Sequence, residues 1–511
     1  MRKQAIIFFA FIVIHWTPII RAQTLDELNR PLLKKGQWDL ALDYKNYGFE
    51  YFSIDVFQGD MTYFDSRVIL FPRLAFGLAK NLLLTLNGAY QFPITFAAPQ
   101  FDEWDYWREI NTIRSLSAQL LFRPAPNMEL SLFLLHGQAK EDTHYAYTLG
   151  IDGHETINSV DSILILRSTW LSAVDGESRP LRADLDGLQG PLLKKRRWRI
   201  EPEILVRSHE YEYHHRYDVL PDYGDKNSDS TDTRLRLPAS YGVTDHLEAK
   251  ADIYWQPSFR INESSRSSIW WDETEHYNES KISHLYFDYW GGRGSLVWRP
   301  NPQIEMNLAF SRNWLKTGRE QYELEGEKTG KPEVWYDHII TQIDLATTWL
   351  SKPKRPGVPL VADLLGLYHP LLEKKQFKLD GRICYRSYRE IDDSSDGRWN
   401  TDSWLLRIQS VYGLSNSLQV SAYYGVRLFK FWFSDFKYEK EHTLGMELKW
   451  RFKKRVEIYA GLNYKPMVYL DIYPPFMLGI QDHLGGSGYN DFLDINFGEA
   501  INIQMGIKVI L

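Results

Sequence analysis

The sequence places its charges at alternate positions. Asp39, Asp43 and Lys45 follow this spacing, as do Arg199, Glu201, Glu203 and Arg207, and then Lys378, Asp380, Arg382 and Arg386. Glu129, Glu248 with Lys250 and Asp252, Glu305 and Glu457 sit in similar surroundings. On an extended chain, residues two apart share a face. A charged face of this kind can steer ions along a lumen, or its members can pair across neighbouring strands, which is the expectation for any single residue. It offers no covalent chemistry. No G-x-S-x-G, H-E-x-x-H or phosphate-binding loop is present, so no catalytic residue is assigned and a non-enzyme without cofactor is expected.

Two clusters invite metal chemistry and fail on spacing. "DKNSDSTD" at 225–232 starts like a calcium loop, but it lacks the following glycine and has Arg236 where the closing glutamate belongs. His209, His214 and His215 lie close together without a cysteine or a recognisable ligand spacing. No metal site is expected from either.

Charges spaced by two need strands to hold them. Trp38, Leu40, Leu42 and Tyr44 alternate with the first charged set; Trp198, Ile200, Pro202, Ile204 and Val206 with the second; Phe377, Leu379, Gly381, Ile383 and Tyr385 with the third. Each of these strands opens after a near-copy of one octet: "PLLKKGQW" at 31–38, "PLLKKRRW" at 191–198 and "PLLEKKQF" at 370–377. The flanks repeat as well, with "STWLS" before the second copy and "TTWLS" before the third, so that Trp170 and Trp349 stand 179 residues apart, as do Pro191 and Pro370. An aromatic-glycine turn recurs as "AFGLAKNLLL", "SYGVTDHLEA" and "VYGLSNSLQV". A basic turn recurs as "LLFRPAPNMEL", "LVWRPNPQIEM" and "LKWRFKKRVEI". These landmarks divide the chain into units near 28–187, 188–366 and 367–511. Each parses as six strands of 12–16 residues, giving an all-β chain of about 18 strands with 16 as the alternative. Periods this long exclude propeller blades and solenoids, whose repeats run from ~20 to ~50 residues.

The ends and the composition narrow the setting. Residues 1–22 carry Arg2 and Lys3, then an apolar stretch and a small residue at the end, the pattern of a secretory signal peptide. Residues 23–511 are expected to form one domain. No later stretch reaches the ~18 uninterrupted apolar residues of a spanning helix. The single Cys384 forbids an internal disulfide, and a net charge of −6 argues against a nucleic-acid partner.

A soluble sandwich also has strands with one apolar and one polar face. Three features favour a barrel in a membrane. The strands exceed the ~5–6 residues of a globular protein. Short connections near 77–81, 123–127, 242–246, 299–303, 413–417 and 451–455 alternate with long polar ones near 97–107, 142–157, 214–231, 261–280, 317–333 and 471–498. Aromatic residues cluster at the short-turn ends of the apolar faces: Trp38, Phe122, Trp170, Trp198, Trp298, Trp349, Phe377 and Trp450. Amphipathic rings favour the headgroup level, so these eight are expected to form the periplasmic-side girdle.

On these patterns the mature chain resembles a Gram-negative outer-membrane β-barrel of the porin type. The resemblance implies an up-and-down transmembrane antiparallel barrel in contact with outer-membrane lipids, inserted by the barrel-assembly machinery. The terminal residue, Leu511, departs from the aromatic end usual in such proteins. The expected function is passive diffusion of small polar solutes, with the charged sets above lining the lumen. The alternative is a non-conducting barrel serving as a surface receptor or as the outer-membrane partner of an export or assembly complex. That reading is motivated by the long inward connections 172–196 and 351–375, where Leu185, Leu188 and Leu192, and Leu364 or Leu365 with Leu372, fall at helical spacing. A periplasmic protein partner would dock there, and nothing in the sequence fixes an oligomeric state.

Overall fold

In the computed structural model of the chain, the described residues are 33–55, 59–92, 94–98, 104–125, 127–147, 151–172, 192–217, 223–270, 276–323, 334–351, 371–392, 398–431, 439–453, 456–465, 469–471 and 494–510. The expected signal peptide, the leucines at helical spacing between 173 and 191 and between 352 and 370, and the loop centres 99–103, 271–275 and 393–397 lie outside them.

The strands are β1 (Trp38–Asp55), β2 (Gly59–Ala79), β3 (Leu82–Gln91, then Ile94–Ala98), β4 (Trp104–Ala125), β5 (Met128–Tyr147) and β6 (Ile151–Leu171). Next come β7 (Trp198–Ile200, then Glu203–Tyr217), β8 (Tyr223–Thr244), β9 (Leu247–Trp270), β10 (His276–Asn301), β11 (Ile304–Glu323) and β12 (Val334–Leu350). The last six are β13 (Phe377–Asp392), β14 (Arg398–Ser415), β15 (Leu418–Phe431), β16 (Glu439–Lys453), β17 (Val456–Lys465, then Tyr469–Asp471) and β18 (Asp494–Ile510). Each pairs antiparallel with its neighbours in sequence, and β1 pairs with β18 from Ala41↔Ile510 to Asp55↔Asn496. The sheet therefore closes into an 18-strand antiparallel barrel with no edge. No helix occurs among the described residues.

Proline explains the interruption of β7. The strand breaks at Glu201-Pro202, where the imide has no N–H to donate to a ladder. Around Pro202 the wall stays connected: the amide of Glu201 donates to the carbonyl of Pro238 at 2.9 Å, and that of Ser168 to the carbonyl of Pro202 at 3.1 Å.

All six short turns fall where the spacing predicts, after Ala79, Ala125, Thr244, Asn301, Ser415 and Lys453. Each is preceded by a register shift, at Gly77/Ala79, Phe122/Ala125, Gly242/Thr244, Trp298/Asn301, Gly413/Ser415 and Trp450/Lys453. Such bulges sharpen the local twist that a tight hairpin needs. The aromatic-glycine landmark is thus not itself the turn. Gly77, Gly242 and Gly413 still lie in strands, and the chain reverses a few residues later.

The strands also outrun the expectation of 12–16 residues: β10 has 26 and β9 has 24. Most of the stretches expected to be long loops are ladder instead, including 142–147, 151–157, 223–231, 261–270 and 317–323. Apolar alternation stops there, but backbone pairing needs no apolar face. Polar cross-strand pairs carry the ladder onward, as with Gln138 and Asn158 at 2.9 Å and Asn158 and Glu212 at 3.2 Å. The "DKNSDSTD" segment is extended strand in β8.

Candidate functional site

Strict alternation sorts the wall into two faces. One face carries large apolar side chains that remain open, among them Ile253 at 60% exposure, Met446 at 57% and Phe310 at 50%. The other carries polar and charged side chains that are buried by their neighbours. Every described member of the sequence-derived charged set lies at these second positions, and the structure gives most of them partners.

One arrangement occurs three times. Arg123 Nε donates to Glu129 at 2.7 Å, Arg299 Nη2 to Glu305 at 2.5 Å, and Arg451 Nη2 to Glu457 at 2.5 Å. In each case arginine and glutamate are six residues apart across a short turn, and the carboxylate is almost wholly buried. Other pairs join adjacent strands: Arg167 with Glu203, Arg207 with Asp161 at 2.7 Å, Arg236 with Asp252, and Arg382 with Asp344 at 2.7 Å. Within strands, Arg199 meets Glu201 at 3.3 Å, Lys250 meets Glu248 at 3.7 Å, and Lys378 meets Asp380 at 2.8 Å. Asp43 is buried, and Arg386 lies on the same face of β13 as Arg382. The backbones of Asp39 and Lys45 stand opposite Ala75 and Gly506. Their side chains lie outside the described part. Sequence reasoning passed over the partners Arg123, Arg299 and Arg451, although R-x5-E recurs in all three basic turns.

The eight aromatic residues lie on the open face. Trp38 is 60% exposed, and the other five tryptophans are between 40% and 48%. Trp349 and Phe377 meet with ring centroids 6.1 Å apart.

The octets form a second threefold arrangement at the short-turn end. Gly36, Arg196 and Lys375 all have left-handed backbones, with φ of 80°, 65° and 64°. Each is the third residue of a turn closed from Gln37 to Lys34, from Arg197 to Lys194 and from Gln376 to Glu373, at 2.9–3.0 Å. A left-handed third residue is the mark of a type II turn. The amides of Gly36, Arg196 and Lys375 donate to the carbonyls of Gly77, Gly242 and Gly413 at 2.7–2.8 Å. Those glycines donate back to Gln37, Arg197 and Gln376 at 2.8–2.9 Å. A Cβ on any of the three glycines would overlap the carbonyl oxygen of Lys34, Lys194 or Glu373.

The leucines of each octet pack on the same face of the wall as the buried charges. Leu33 joins Ala75, Leu83 and Leu121; Leu193 joins Leu171; Leu372 joins Leu350 and Val411. The amide of Leu193 donates to Glu248 at 2.9 Å, and that of Leu372 to Gln419 at 3.2 Å. The clasps fall on β1/β2, β7/β8 and β13/β14, six strands apart. The basic run at 194–197 is therefore a structural fastening.

No family model matches the sequence, and no curated protein matches it. Among solved structures it is similar to the ferric yersiniabactin uptake receptor FyuA from Yersinia pestis, with a TM-score of 0.45 and 8% identity over 94% of this chain and 81% of that one. It is similar to the ferric citrate transporter FecA in its unliganded form, with a TM-score of 0.40 and 7% identity over 93% of this chain and 79% of that one. It is also similar to a FadL homologue from Pseudomonas aeruginosa, with a TM-score of 0.26 and 10% identity over 92% of this chain and 89% of that one.

The histidine cluster at 209–215 is divided by the pleat. His209 meets Asp161 at 3.0 Å and His215 meets the Tyr213 hydroxyl at 3.1 Å, whereas His214, on the opposite face, meets Asp225 at 2.8 Å. The three share no common site. The structure instead gathers Asp142, His144 and His154, whose donor atoms all lie within 4.8 Å of one another. In the sequence this group is D-x-H followed by a histidine ten residues later, a spacing that brings the three together only when 142–157 is a strand pair and not the expected loop.

Proposed function

We propose that the chain is a transmembrane barrel of the bacterial outer membrane whose interior conducts small polar solutes. The sorting of the wall carries this reading. A face with so many open large apolar side chains would aggregate in water, and hydrocarbon is its natural solvent. A closed ladder leaves no backbone polar group unpaired there. On β5 the open face runs Leu130, Leu132, Leu134 and then turns polar at His136, Gln138 and Lys140. The open face is thus apolar over the part of the strand next to the short turn and polar beyond it. The eight aromatics then stand at the headgroup level of the turn side, and the lipids there are the partners of that belt. The buried charged face becomes the lumen wall, and 18 strands leave room for a channel.

Conductance across a planar bilayer tests this. Stable open steps from the purified, refolded protein are expected. A barrel that migrates as folded on a gel, shifts on boiling and stays silent would overturn the channel and favour a receptor or docking role. The three clasps, which lay chain against the lumen side of the wall at the turn end, support that second reading.

A further inference from the structure

We infer that Asp142, His144 and His154 bind a first-row divalent transition-metal ion on the open face of the β5–β6 hairpin, beyond the apolar belt. Asp142 and His144 alternate on β5 and so share a face, and His154 on β6 is the register partner of His144. The two imidazoles are stacked, with centroids 4.3 Å apart and planes inclined by 26°. Asp142 Oδ1 lies 2.5 Å from Nε2 of His154 and 3.6 Å from Nε2 of His144. All three side chains are partly open to solvent, so an ion can enter without displacing the wall.

The geometry suits a small ion. Bond lengths of about 2.0–2.2 Å place neighbouring ligand atoms roughly 3–3.5 Å apart. The separation between Asp142 and His144 is close to this, the contact between Asp142 and His154 has to open by up to about 1 Å, and the stacked rings have to turn so that both Nε2 atoms converge on the ion, movements that rotation at χ1 and χ2 provides. Two imidazole nitrogens and one carboxylate oxygen favour zinc, copper or nickel, whereas calcium and magnesium take all-oxygen shells. Three protein ligands leave a coordination position for water or a solute donor.

Arginines stand opposite both histidines in the ladder, and the described one is already paired. The register partner of His154 on β7 is Arg216, and its guanidinium is held by Asp225 at 2.7 and 2.9 Å. The register partner of His144 on β4 is Arg108. Thr156 Oγ1 lies 3.5 Å from Nε2 of His154, within reach as a further polar contact. Without an ion, both imidazoles lie nearest the same oxygen of Asp142, Oδ1. An ion placed among the three donors engages all of them together and ties the ends of β5 and β6.

Calorimetric titration of zinc chloride into the full mature barrel in detergent tests the site. The expected result is one equivalent bound, with H144A and H154A each weakening it by more than about tenfold, and H214A leaving it unchanged. Heat-modifiable migration verifies that each variant is folded, which these partly exposed substitutions should preserve. Binding unaltered in H144A and H154A, or lost equally in H214A, would overturn the site. Displacement of zinc by an equal concentration of calcium would overturn the transition-metal assignment.

Discussion

The carbonyl oxygen of Lys194 lies against the α-carbon of Gly242, in space that any side chain would need. The same relationship joins Lys34 to Gly77 and Glu373 to Gly413. These glycines are fixed by a close approach of backbone to backbone, and their own φ values need no glycine. Gly242→Ala should therefore force the octet away from the wall, breaking two hydrogen bonds, at a cost of about 2–3 kcal/mol. Gly294→Ala is the control, because its nearest neighbour would be at 4.0 Å. Urea unfolding midpoints in detergent measure both, and equal shifts would dismiss the clasp as a source of stability.

The third turn position makes an opposite prediction. Arg196 and Lys375 hold left-handed backbones that Gly36 adopts without a Cβ penalty. Arg196→Gly and Lys375→Gly should each stabilise the barrel by about 1 kcal/mol. Arg196→Ala removes the same charge while keeping the Cβ, and should show no such gain. If Ala and Gly behave alike, side-chain charge and not backbone conformation governs the position.

The pattern of apolar alternation was enough to read the barrel, its short turns and the division of the wall into an open apolar face and a buried charged one, because a pleated strand writes its two faces directly into the sequence. The octet was legible as a recurring sign but not as a clasp. Its contact joins Lys194 to Gly242 across a whole hairpin, and nothing local marks which backbone will lie on a glycine. The outer ladder was missed for a different reason. Once both faces of a strand meet water, periodicity vanishes while pairing continues, so 142–157 reads as loop although His144 and His154 are register partners. The same loss of periodicity conceals the placement of Asp142 beside both imidazoles.

The repeated arginine–glutamate pairs should behave as coupled units. Glu305 is 4% exposed on its side chain, and Arg299 reaches it from across the short turn. Arg299→Ala leaves a poorly solvated carboxylate and should cost about 2–3 kcal/mol. The double change Arg299→Ala with Glu305→Gln removes that charge and should recover roughly half of the loss. Additive losses in the double-mutant cycle would show that the pair contributes nothing as a pair.

Acid should loosen the far end of the β7/β8 hairpin before the end that carries the octet clasp. Partial burial opposes the charge of Asp225, but hydrogen bonds from His214 and Arg216 outweigh it and hold the carboxyl below its ordinary range. A depressed carboxyl contributes stability above the unfolded value of about 3.9 and loses it as pH falls through the folded value. Protection factors of the amides in 211–216 and 223–228, taken against the unstructured chain at the same pH, should therefore be high at neutral pH and fall below about pH 4. In Asp225→Asn the same amides should exchange faster at neutral pH, with the acid step diminished. A wild-type protection profile that is flat down to pH 2 would remove Asp225 from this role.

Under the channel reading, the lumen charges set the ion selectivity. Arg382, Arg386, Arg407 and Arg427 occupy lumen-side positions on three adjacent strands, with Arg382 the register partner of Arg407 and Arg427 that of Leu405, beside Cys384. Arg407 lies over the Tyr423 ring, 4.4 Å from its centroid, which keeps the guanidinium on the wall without neutralising it. Asp344 holds Arg382 on one side, and Glu447 with Lys449 at 3.2 Å forms a pair on the other. The local balance is thus positive although the whole lumen is mixed. Anions should be favoured modestly, and Arg407→Glu together with Arg427→Glu should move the reversal potential in a salt gradient toward cations, changing the permeability ratio by about two- to fivefold. Single-channel conductance should change far less than selectivity, because the pore width is set by strand number. A reversal potential that does not move would place the conducting path, if the barrel conducts, away from β13–β15.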